Sequence, residues 1–190
     1  MSLKILLAKR KKALVQTWFD HVLETYPANT AKFLTSQNDP FANPVGQTLV
    51  AGLDALFDGL LNGMAPKTAA ELLDPIVRIR AVQDFSPSRA VAFILSLKNV
   101  LETHVRKKFP EEFCSLRMIS ELRELEAEID ALCLVAFDVY MACREKIYQL
   151  KAEDAKGRSF KAFQRAGLVV EVPDIEAGSK CHGAPWRDDP

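Results

Sequence analysis

Seven apolar side chains, Leu122, Leu125, Ile129, Leu132, Ala136, Val139 and Cys143, recur in steps of 3, 4, 3, 4, 3 and 4 residues. That spacing keeps one face of an α-helix apolar, and a strand cannot use it because strand faces alternate every second residue. Continued over the stretch from Leu116 to Lys156, the helix would span roughly 60 Å at 1.5 Å per residue. Phe137, Tyr140, Met141, Ile147 and Tyr148 widen the apolar face beyond a strict seam. Two readings are open. The helix is a long core helix of its own domain, or Leu122, Leu125, Ile129, Leu132 and Val139 meet a second copy in a homodimer.

The rest of the chain also reads as helix and cap. Leu3, Leu6, Leu7, Leu14, Trp18 and Val22 place one helix over about Leu3 to Tyr26, ended by Tyr26-Pro27. A short helix follows around Ala28 to Thr35. Asn43-Pro44 then supplies a side-chain cap and a first-turn proline for a helix that stops near Gly63. Thr68 to Glu71 fits a capping box, and Asp74-Pro75 is expected to restart the helix. Ser86-Pro87 opens another, which Phe109-Pro110 breaks. Only 8 glycines in 190 residues argue against sandwiches, barrels and glycine-rich phosphate cradles. After Gly157 the glycines and prolines return, and Leu168 to Val172 is a candidate strand. The expected organisation is a helical domain over 1–156 and an irregular tail, flexible or partner-docking, over 157–190.

Charge and composition exclude more than they assign. Twenty-five Lys and Arg balance 25 Asp and Glu, so the phosphate-neutralising excess of a nucleic-acid binder is absent. No window supplies the roughly 20 apolar residues of a membrane span, and the N-terminal apolar run is too short for an export signal. Cys114, Cys133, Cys143 and Cys181 form no CxxC pair and no zinc spacing. A reduced, cytoplasmic chain is the expectation. His21, His104 and His182 are the imidazoles, and no Glu-x-x-His pair of a di-iron bundle accompanies them. His104 precedes Arg106, Lys107 and Lys108, a setting for a cationic helix end rather than a haem ligand. No nucleophile elbow, phosphate loop or dinucleotide fingerprint is present. No catalytic residue, metal site or cofactor is therefore assigned.

One polar segment stands apart. Arg78, Arg80, Gln83, Asp84 and Ser86 crowd the end of one helix against the proline-capped start of the next. Buried charge must be paired, so the segment reads either as a clasp fixing two helices or as a corner that senses a small anion or a protein partner. Asn43 and Gly46 are expected to shape its loop.

Four stretches carry a resemblance: Trp18 to Pro27; Asp39-Pro40-Phe41-Ala42-Asn43-Pro44-Val45-Gly46; Arg80-Ala81-Val82-Gln83-Asp84-Phe85-Ser86-Pro87-Ser88 with Leu97-Lys98; and Phe137-Asp138-x-Tyr140 with Cys143-Arg144-Glu145-Lys146. Across roughly residues 10–155 the chain resembles the N-terminal domain family of RsbT co-antagonist proteins, the RsbRD type. That resemblance implies an all-helical, globin-like fold without haem, serving as a sensory or regulatory module in bacterial stressosome-like signalling. Related modules pair as dimers and continue through a long helix into a STAS output domain. About 35 residues follow the long helix here, so the module is expected to stand without one. The leading expectation is an all-α, non-enzymatic, homodimeric regulatory domain, with an unidentified small ligand or a regulatory protein as its signal. An adaptor docking through its tail is the alternative, and a haem- or metal-dependent enzyme comes last.

Overall fold

A computed structural model describes residues 2–36, 39 and 41–168. Among these the secondary structure is entirely helical: α1 (Leu3–Ala8), α2 (Lys11–Leu23), α3 (Ala28–Ser36), α4 (Pro44–Asn62), α5 (Pro66–Val82), α6 (Pro87–Lys108), α7 (Pro110–Phe113) and α8 (Leu116–Arg165). The chain divides into two units, 1–149 and 150–190. In the first, α4 packs on α5 and α2, α2 lies on α6, and α5 on α6. Their shared core includes Trp18, Leu49, Leu56, Leu73, Ile76, Phe93 and Leu97. In the second, α8 runs on to Arg165 with Phe160 and Phe163 exposed.

Several boundaries follow the capping residues. The Asn43 side chain accepts from the Gly46 N–H at 2.9 Å and donates to the Leu34 carbonyl at 2.8 Å, so one buried amide closes α3 and opens α4. A Cβ on Gly46 would sit 2.3 Å from that amide nitrogen, which explains the glycine. Gly63 ends α4 at φ 81°, a left-handed conformation open to glycine. Pro87 and Pro110 each occupy a first helical turn.

Three expectations need correction. The single helix over Leu3 to Tyr26 is two helices, broken at Lys9-Arg10. Between Leu7 and Leu14 only Ala, Lys and Arg are present, so no large apolar side chain anchors that turn to the core. Thr68 does not cap and Asp74-Pro75 does not restart a helix, because α5 starts at Pro66 and runs through Pro75. Leu73, Ile76 and Val77 are fully buried around it, and this packing outweighs the backbone bond that proline removes. The last helix passes through Gly157 to Arg165 rather than ending near Lys156. The candidate strand from Leu168 to Val172 lies, beyond Leu168 itself, outside the described residues.

The heptad seam also has a definite destination. Leu122, Leu125, Ile129 and Leu132 are buried in the core of their own unit, and Val139 packs half-buried against it. The buried set then moves from Ala136 to Tyr140 rather than to Val139. That drift is the one a straight helix of 3.6 residues per turn shows against a 3.5-residue repeat. These residues, expected as candidates for a partner helix, are covered within the chain. Leu134, Phe137 and Met141 form the exposed apolar side of the same helix.

Candidate functional site: the corner between α5 and α6

The last turn of α5 carries Arg80 into the interior, where it is fully buried. Its Nη2 donates to Thr25 Oγ1 at 2.9 Å and to the Arg89 carbonyl at 3.0 Å. Three rings surround the guanidinium: Phe85 at 4.4 Å, Tyr26 at 5.3 Å and Phe93 at 5.3 Å from its central carbon to their centroids. Such faces attract a cation but carry no counter-charge. Arg80 Nε and Nη1 and the Tyr26 hydroxyl are buried and find no well-formed hydrogen bond among the described residues. Burial pushes the Arg80 pKa down, with the neighbouring Tyr26 opposing and Arg89 adding to that shift. Burial likewise pushes the Tyr26 hydroxyl up, so the phenol stays protonated rather than serving as the missing anion.

The turn that follows is fastened to α8. Asp84 adopts φ 56°, uncommon for a residue with a side chain, and its carboxylate meets Arg144 Nη1 at 2.7 Å. Arg144 Nη1 also donates to the Ala81 carbonyl at 3.0 Å, and Nη2 to the Tyr148 hydroxyl at 2.9 Å. Hydrogen bonds to Asp84 and then Tyr148 hold the Arg144 pKa above its ordinary value. The Tyr140 hydroxyl donates to the Phe85 carbonyl. Tyr140 and Arg144 stand four residues apart and so project from one side of α8. Two side chains thus grip residues 81–85, the segment that covers Arg80.

Of the residues expected at this corner, Arg80 and Asp84 are central. Arg78 is exposed and bonds Asp74 within α5 at 2.9 Å. Gln83 is the exposed residue that ends α5. Ser86 precedes α6 without capping it, its hydroxyl lying 3.4 Å from that of Ser88. Asn43 and Gly46 build the α3–α4 junction instead of shaping the corner's loop. Sequence reasoning missed Thr25, Tyr26, Arg89, Tyr140 and Arg144 as corner residues. The pair on α8 had a usable signal, an i,i+4 Tyr-Arg spacing inside a stretch already singled out. The others meet Arg80 only through tertiary packing.

Elsewhere His21 pairs with Glu24 at 3.0 Å, while the His104 ring lies against Phe109. Among the described residues no three His, Cys, Asp or Glu side chains gather as a metal site. No described helix is long and apolar enough to cross a membrane. A cleft of about 310 Å³ between the α4–α5 turn and α8 is lined by Gly59, Met64 and Leu132, and its carboxylate, Glu128, is held by Lys4.

The fold and this corner define an all-helical domain whose polar interior is tied to its longest helix. Residues 12–154 match the family described as the RsbT co-antagonist protein rsbRD N-terminal domain, and the chain belongs to that family. The family is one of regulatory, stressosome-related signalling modules. The chain is also 23% identical over 145 residues to an uncharacterized protein of Archaeoglobus fulgidus, covering 76% of this chain and 83% of the relative. No solved structure gives a significant match.

Proposed function

We propose that the chain is a non-catalytic, cytoplasmic signalling module with a haem-free, globin-like arrangement of helices, acting as a homodimer whose arrangement the α5–α6 corner sets through α8. The observation that carries this reading is the double grip of Tyr140 and Arg144 on residues 81–85. Such a contact gives a signal at the corner a direct mechanical route to α8. A ligand or regulatory protein that binds one corner conformation better shifts the population, and α8 moves with it. The exposed stripe of Leu134, Phe137 and Met141 supports α8 as the pairing surface, since the heptad seam is occupied within the domain. Sedimentation equilibrium tests the dimer: the full chain is expected to sediment as a dimer and Leu134→Lys as a folded monomer. A monomeric wild type, or an unaffected variant dimer, would contradict pairing through this face.

A further inference from the structure

Three guanidinium groups converge on the α5–α6 corner. Arg80 lies inside it, Arg89 sits 5.5 Å from the Phe85 centroid and donates to the Thr25 carbonyl, and Arg144 reaches in from α8. The corner's carboxylate, Asp84, is bound to Arg144. No ion pair reaches Arg80 among the described residues, although it is the cation withdrawn furthest from water. A buried charge without an opposite charge beside it is strongly unfavourable, and aromatic faces offset only part of that. Arg80 Nε and Nη1 and the Tyr26 hydroxyl are buried beside one another, and the contact between these two side chains is short of a well-formed hydrogen bond. What encloses them is the turn: Phe85 packs 4.4 Å over the guanidinium while Tyr140 and Arg144 hold the turn down.

We propose that Arg80 and Tyr26 form a concealed site for a small monovalent anion, chloride or the carboxylate of a short organic acid, opened when the turn over 83–86 lifts from α8. One buried cation matches one negative charge. With the turn lifted, the Tyr26 and Phe93 rings remain as walls, and they favour a monovalent ion of few atoms over a strongly hydrated phosphate dianion. In the closed conformation the donors are shut away, so the anion binds the open one and draws the population toward it. This inference rests on the reading that the corner and α8 move together, and it names the ligand class of that site.

The test uses the full chain, with thermal unfolding followed in chloride, formate or acetate against gluconate at constant ionic strength. A saturable rise in Tm is expected with chloride alone for a halide site, or with formate and acetate for a carboxylate site. Hydrogen exchange over 81–86 should quicken in the same salt. Arg144→Ala, which frees the turn, should lower the half-saturating concentration by about threefold or more. Arg80→Met should abolish the response, and Tyr26→Phe, which removes only the phenolic donor, should weaken it. The proposal is overturned if every salt matches gluconate, if the response persists in Arg80→Met, or if it is unchanged in Tyr26→Phe. A silent salt series in which Arg144→Ala still alters exchange along α8 removes this inference alone and leaves the signalling reading standing.

Discussion

Tyr140 makes its contribution through one oxygen. Its ring is buried in the core while its hydroxyl reaches the Phe85 carbonyl, so Tyr140→Phe removes the hydrogen bond and keeps the packing. The expected loss is about 1 kcal/mol, read from denaturant unfolding. His104 acts through pH. Burial, reinforced by Arg10 and Lys108, lowers its pKa below the usual 6.5. The folded state therefore binds fewer protons than the unfolded state once pH falls below about 6.5, and stability declines toward the depressed folded pKa. Above that pH the imidazole is neutral in both states and contributes no slope. Unfolding curves taken across pH 5 to 8 should show this decline in the wild type and a shallower one in His104→Gln; equal slopes would contradict the assignment.

At the scale of elements, junctions decide the fold. Asn43 satisfies the Gly46 N–H and the Leu34 carbonyl together, so Asn43→Ala loses a helix cap and leaves a buried carbonyl unpaired. A loss of about 2 kcal/mol is expected in equilibrium unfolding. This junction was legible from Asn43-Pro44 because capping depends on neighbours in sequence. The start of α6 at Pro87 and its end before Phe109-Pro110 were legible for the same reason. Pro75 was misleading: a local breaker signal met a segment whose Leu73, Ile76 and Val77 are all buried, and packing prevailed. The Lys9-Arg10 break went unseen because the apolar residues on either side remain in phase with one stripe. The long helix was legible from its period, but the period alone did not say what the seam touches. Its burial against the domain's own core became visible only once α8 was placed among the other helices.

For the whole molecule, the central claim is that the α5–α6 corner governs α8. The corner's location was readable from the crowding of Arg80 and Asp84 near two helix ends. Its partners were not, because Thr25 and Arg144 reach it from 55 and 60 residues away in sequence. Membership of a family of regulatory modules accords with the conformational role proposed for the corner. The most direct measurement is hydrogen exchange by mass spectrometry on the full chain, wild type against Arg144→Ala. The account predicts faster exchange over 81–86 together with altered protection along α8 between Leu116 and Gln149. A change confined to 81–86, with α8 exchanging as in the wild type, would contradict it.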